Sequence, residues 1–111
     1  MDNRYNPRYK NGSFRRKIRT RFKSMDAPCH ICGKPIRYDE PSNFEHPFSL
    51  VVDEIKPCSR WREFGYDSIE QACQDINNLA PAHYICNAQK SNKTLEELRA
   101  KPKINILDGA W

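Results

Sequence analysis

Two pairs of metal-seeking side chains bracket this sequence, each pair three positions apart. Cys29 and Cys32 sit in Cys-His-Ile-Cys-Gly-Lys, and His83 and Cys86 sit in His-Tyr-Ile-Cys-Asn. Sulfur and imidazole nitrogen are the ligands of tetrahedral zinc, and this spacing lets both members of a pair reach one ion. One zinc held by both pairs ties residue 29 to residue 86 and makes a unit of everything between them. Inside the bracket lie Asp53-Glu54, directly after Leu50-Val51-Val52, and Asn78-Leu79. An acidic pair is usually just solvated. This one follows an apolar run within the bracket, which marks it as a candidate site.

Five cysteines also admit a disulfide reading. The opening MDNRYNPRYK has no apolar run, so the expectation is no secretory signal, no membrane span and a cytoplasmic chain. Thiols there stay reduced, and paired cysteines are more often metal or redox sites. Cys73 falls on an apolar helical face and reads as core. Cys58 is an alternative to His83 as fourth zinc ligand. His30, between the knuckle ligands, is expected to face solvent. The chain has 111 residues, 38% hydrophobic and 30% charged, so its core is small for a free-standing domain. A structural zinc offsets that, with about 10–16 kcal/mol of apparent binding energy in small zinc peptides.

The net charge of +5 is unevenly placed. Residues 1–25 carry nine Lys/Arg against one Asp, and residues 26–111 carry ten against thirteen acids. Basic arms of this kind contact phosphates. Tyr5, Tyr9, Phe14 and Phe22 interleave this arm and can stack on bases. A solvated leader is the plainer alternative.

The elements that must position these groups follow from pattern. Residues 1–13 read as coil. Residues 14–25 form a basic helix with Phe14, Ile18, Phe22 and Met25 on one face, docked on the body, turned to DNA, or both. Cys29 to Lys34 is a knuckle turn freed by Gly33. Phe48 to Ile55 is a strand ended by Pro57. Residues 68–76 form a Ser-capped helix with Ile69, Ala72, Cys73 and Ile76 inward. Leu79 to Ala82 is a short strand. A helical stretch runs from His83 to about Ala100, interrupted near Ser91-Asn92, with Thr94 and Glu97 as a capping box before its last turns. The domains are thus an arm over 1–25, a folded unit over 26–101 and a tail over 102–111.

In chain order the pieces read CxxCG, a strand carrying Asp-Glu-Ile-x-Pro, a helix, then Asn-Leu and HxxCN with Lys90 beyond. Over roughly residues 26–93 this resembles the HNH endonuclease family. The resemblance implies an α+β fold: a small beta-beta-alpha-metal (HNH, His-Me finger) domain stabilised by a zinc knuckle, here with a basic N-terminal arm. It implies a metal-dependent DNA endonuclease that nicks or cuts by phosphodiester hydrolysis. The implied setting is phage or mobile-element DNA processing, beside the packaging terminase. Asp53 matches the family's metal-binding Asp, Asn78 its middle Asn, and His83 and Cys86 the second zinc pair. Asn87 falls on the last ligand of the catalytic ion. Glu54 stands where the family carries its general-base His.

The chemistry suits such a site. Phosphodiester hydrolysis needs an activated water, a neutralised phosphate and a stabilised leaving oxygen, and one divalent ion can meet the last two needs. Asp53 and the Asn87 amide oxygen are hard ligands for Mg2+ or Mn2+. Neighbouring strand residues face opposite ways, so Glu54 serves either as base or as support. Asn78 holds the loop that positions the base, or is simply a turn residue. His46 is an alternative base and otherwise an exposed loop histidine. Arg15, Arg16, Lys17, Arg19, Arg21, Lys90 and Lys93 are the expected phosphate contacts. Trp61, beside Arg60 and Arg62, stacks on nucleic acid or plugs the core. The rival reading is a non-catalytic zinc-ribbon nucleic-acid-binding module on the same scaffold. An RNA-binding zinc protein is a third, resting on the arm alone.

Overall fold

The computed structural model describes residues 12–100. Its centre is a two-stranded antiparallel ladder, β1 (Leu50–Glu54) and β2 (Leu79–His83), with Leu50 opposite His83 and Glu54 opposite Leu79. Val51-Val52 gives β1 the β-branched centre that suits a pleated, packed surface. The strand is shorter than the sequence suggests. Phe48 stays outside it, half exposed, and the Ile55 N–H turns to the Asn78 carbonyl at 2.8 Å.

One face of β1 receives α1 (Gly12–Ser24). Ile18 is buried with Val52 and Leu79, and Phe14 and Phe22 pack around them. Most of the expected apolar stripe therefore docks on the body. Met25 does not: the helix ends at Ser24 and Met25 is 60% exposed. Arg21 and Lys23 close the last turn, where cations complement the helix dipole. Residues 12–24 thus belong to the folded unit, not to a separate arm. Of the coil expected over 1–13, Gly12 and Ser13 instead open α1, and residues 1–11, like the tail over 102–111, lie outside the described residues.

The knuckle turn forms as expected. The Gly33 N–H donates to the Cys29 carbonyl at 2.8 Å, and Gly33 takes φ +80°, a conformation an L side chain resists. The knuckle is stitched to β2 by the His30 N–H on the Pro81 carbonyl at 2.9 Å. Beneath it, Cys29, Ile36, Leu50 and Ala82 form the central apolar cluster.

α2 (Ile69–Gln74) starts at Ser68, whose hydroxyl accepts from the Gln71 N–H. It ends earlier than expected, because Asp75 caps a new 3-10 turn over Ile76–Asn78 and leaves Ile76 46% exposed. Ala72 and Cys73 face inward with Cys58 into a satellite cluster, and Trp61 closes it from outside. The Arg62 guanidinium lies over the Trp61 ring at 4.3 Å. Trp61 therefore plugs the core.

α3 (Tyr84–Lys90) leaves β2 without a linker. Its first N–H groups, from Tyr84 and Ile85, donate to the carbonyls of Ser49 and Pro47, which accounts for two of a helix's four orphan donors. Ser91, at φ +53°, breaks the helix where an interruption is expected. α4 (Leu95–Ala100) follows the expected capping box: the Glu97 N–H donates to Thr94 Oγ1 and the Thr94 N–H to Glu97 Oε1. Arg60 anchors α4 through two hydrogen bonds to Glu97. No helix among the described residues is long and apolar enough to cross a membrane.

Candidate functional site

The bracketing pairs meet. Ligand atoms of Cys29, Cys32, His83 and Cys86 all lie within 4.8 Å of one another, so these four residues could hold one metal ion such as zinc. The His83 ring is set for it. Nε2 lies 2.7 Å from the Pro35 carbonyl, which can only accept, so Nε2 carries the proton. The lone pair of Nδ1 then faces the sulfurs of Cys32 at 3.3 Å and Cys86 at 3.6 Å. A carbonyl that fixes the far nitrogen of a metal-binding histidine is the usual supporting arrangement.

The thiols are prepared unequally. Burial alone would raise Cys29, but the backbone N–H groups of Cys32, His83 and Ile31 outweigh it and hold the thiol below its ordinary value. Cys86 is pushed up to about 12, first by burial and then by the charge on Cys29. A bound cation removes that penalty, because it neutralises thiolates that otherwise repel one another. Cys58 is not the fourth ligand; it lies in the satellite cluster with Cys73.

At the other end of the ladder the two acids part. Glu54 turns toward α1, where Arg15 Nη2 lies 2.9 Å from its Oε2. Asp53 turns the other way, toward the knuckle and α3. His30 Nε2 lies 2.8 Å from Asp53 Oδ2, and Lys90 Nζ lies 3.3 Å from the same oxygen and 3.4 Å from Oδ1. Asp53 and Glu54 are 3% and 5% exposed. Both border a groove of about 600 Å³ lined also by Arg15, Arg19, Tyr84, Asn87 and Asn92.

Three expectations change here. His30 does not face solvent; its imidazole is drawn in to Asp53, and its backbone is pinned to β2. Lys90 is not a surface phosphate contact. It is fully buried, donating to the Glu54 carbonyl at 2.9 Å and neutralising Asp53. Arg15 is likewise turned inward, donating to Glu54 and to the Cys73 carbonyl at 2.7 Å. Arg16, Lys17 and Arg21 remain exposed, and Arg19 and Lys93 are half-buried.

Asn78 is placed as a support. Its Oδ1 accepts the Lys56 N–H at 2.7 Å, and its Nδ2 donates to the carbonyls of Lys56 and Ala72. With all these bonds made and 2% exposure, it fixes the turn after β1. His46 stays in its loop, its carbonyl accepting from Ser49.

The Asp53 carboxylate keeps acceptor capacity beyond its partners inside the protein. A carboxylate offers roughly four lone-pair directions. His30 and Lys90 occupy two at Asp53, and Asn87 borders the same groove. A cation there shares the carboxylate with groups already present.

No protein-family profile, curated protein or solved structure matches the chain. Its function therefore has to follow from the site. The residue that sequence reasoning missed is His30. The only local signal was an imidazole inside a knuckle. What brings it to Asp53 is the docking of that knuckle on Pro81, one position from Ala80, the β2 partner of Asp53.

Proposed function

We propose that this chain is a divalent-cation-dependent endonuclease that hydrolyses phosphodiester bonds in DNA. The observation that carries the reading is the buried Asp53 carboxylate lining a groove, with an imidazole on one oxygen and an asparagine in the same lining. Asp53 and Asn87 are the residues to hold Mg2+ or Mn2+, which when bound neutralises the phosphate and the leaving oxygen. His30 takes the role of base. With Nε2 on Asp53, the proton of the attacking water passes to Nδ1, a P–O bond forms, and the P–O bond to the leaving sugar oxygen breaks, that oxygen taking its proton from solvent. Asp53 orients the ring as carboxylates do in other base–carboxylate pairs. The imidazole absent from position 54 is thus supplied from position 30. Glu54, engaged by Arg15 on the other face, has no part in proton transfer.

Arg19 at the groove, with Arg16, Lys17, Arg21 and Lys93 outside it, supplies phosphate contacts that position the duplex. The Cys29–Cys32–His83–Cys86 cluster holds zinc and so fixes His30 against β2. The resemblance to HNH endonucleases supports the same chemistry and a phage or mobile-element setting, with a terminase as candidate partner.

One observation favours the second reading, a DNA-binding module without catalysis. Both acids already have cationic partners inside the protein, Lys90 for Asp53 and Arg15 for Glu54. Incubating the full chain with supercoiled plasmid and Mg2+, Mn2+ or EDTA separates the two. Divalent-dependent nicks support the enzyme. Retarded but intact plasmid under every condition supports the module.

A further inference from the structure

We propose that Glu54, Cys58 and Cys73 form a second binding site for a thiophilic divalent cation, zinc being the best match, separate from the four-residue cluster. A carboxylate oxygen and two sulfurs come within 4.8 Å of one another there, and all three residues are buried. They arrive from three elements: the end of β1, the 3-10 turn Cys58–Arg60 and the inner face of α2. Scattered surface acids have no such convergence.

The donor set selects the ion. Two sulfurs exclude magnesium and calcium, which take oxygen, and favour zinc or another borderline-to-soft cation. Three protein ligands are the complement of an open zinc site, whose fourth position is left to water or a ligand. Glu54 and Cys58 both border the groove, so that position opens toward it.

Charge balance supports the site in both states. Arg15 pairs with Glu54 in the absence of the ion. Binding of a divalent ion releases both thiol protons, and two thiolates and a carboxylate then face the ion and the guanidinium with no net charge. Arg15 is held in place by Nη2, which bonds both Glu54 and the backbone of Cys73, and by Nη1 on the Val52 carbonyl. Its Nε is buried with no hydrogen-bond partner among the described residues. A thiolate or a metal-bound water is the kind of acceptor it lacks.

The site is independent of the nuclease reading, since Asp53, His30 and Asn87 are not its ligands. The test is metal stoichiometry of the reduced full chain after loading with zinc and removal of the excess. Two equivalents are expected for the wild type and one for the Cys58→Ser/Cys73→Ser double variant. Substitution of the satellite cluster can disturb folding, so cadmium NMR of the wild type decides independently. Two resonances are expected, one from three sulfurs and a nitrogen, one from two sulfurs and oxygen. A single equivalent and a single resonance in the wild type, with Cys58 and Cys73 alkylated equally fast with and without metal, would overturn the proposal.

Discussion

The two ends of the β1–β2 ladder handle negative charge in opposite ways. At the Leu50–His83 end, three thiols and an imidazole converge with no cationic side chain bonded to them, and the Cys86 thiol is driven up to about 12 by burial and the charge on Cys29. At the Glu54–Leu79 end, each acid has its own cation, the buried Lys90 for Asp53 and the half-buried Arg15 for Glu54. The first end could take an ion from outside to offset its charge. The second pairs its carboxylates within the protein. Metal dependence of the fold should therefore reside at one end and metal dependence of catalysis at the other.

The largest expected effect breaks the first end. Cys29→Ser or Cys86→Ser, or chelation of the wild type, should unfold the chain, because about 10–16 kcal/mol of zinc binding is the scale seen in small zinc domains. Circular dichroism on chelator titration checks this, and a metal-free chain with an unchanged melting curve would erase the contrast between the ends.

Next in size is the internal neutralisation of Asp53. Lys90→Met and Asp53→Ala each strand one buried charge, which costs about 3–5 kcal/mol. Asp53→Ala combined with Lys90→Met should recover most of that loss. A double-mutant cycle in denaturant measures the coupling, and strict additivity would mean the pair is not an interacting unit. Asp53→Asn, which keeps the shape and one acceptor oxygen, is a milder probe of catalysis than Asp53→Ala.

The α1 surface comes third. Arg16→Ala, Lys17→Ala and Arg21→Ala together should weaken DNA binding on every sequence alike and reduce the salt slope by about 0.9 for each phosphate no longer neutralised, with the melting temperature unchanged. The smallest effect lies far from both ends. Thr94→Ala removes one half of the α4 capping box and should cost about 1 kcal/mol, seen as a modest shift in the unfolding midpoint.

These outcomes also mark what the residue pattern could and could not reveal. The zinc ligands were legible because three-spaced Cys and His pairs carry their own chemistry. The Thr94–Glu97 box, the Ser68 cap and the Ser91 break were legible because each is decided within a few residues. The fate of Lys90 was not, because a lysine beside a candidate ligand reads as a surface charge until the fold sets Asp53 against it. His30 and Arg15 failed for the same reason: their partners lie 23 and 39 positions away. The convergence of Glu54 with Cys58 and Cys73 depends on where α2 lands, which no local pattern states.

In the proposed reaction the decisive group is the imidazole that the knuckle brings to Asp53. The direct test is the initial rate of plasmid nicking with saturating Mg2+ or Mn2+ by the zinc-loaded wild type, Asp53→Asn, His30→Gln and Glu54→Gln. The expected result is no nicking by Asp53→Asn and a rate lowered about 10²–10⁴-fold by His30→Gln, the usual worth of a positioned base. Glu54→Gln should keep a rate near that of the wild type. A His30→Gln rate equal to wild type, with Glu54→Gln inactive, would contradict this assignment and return the base to position 54.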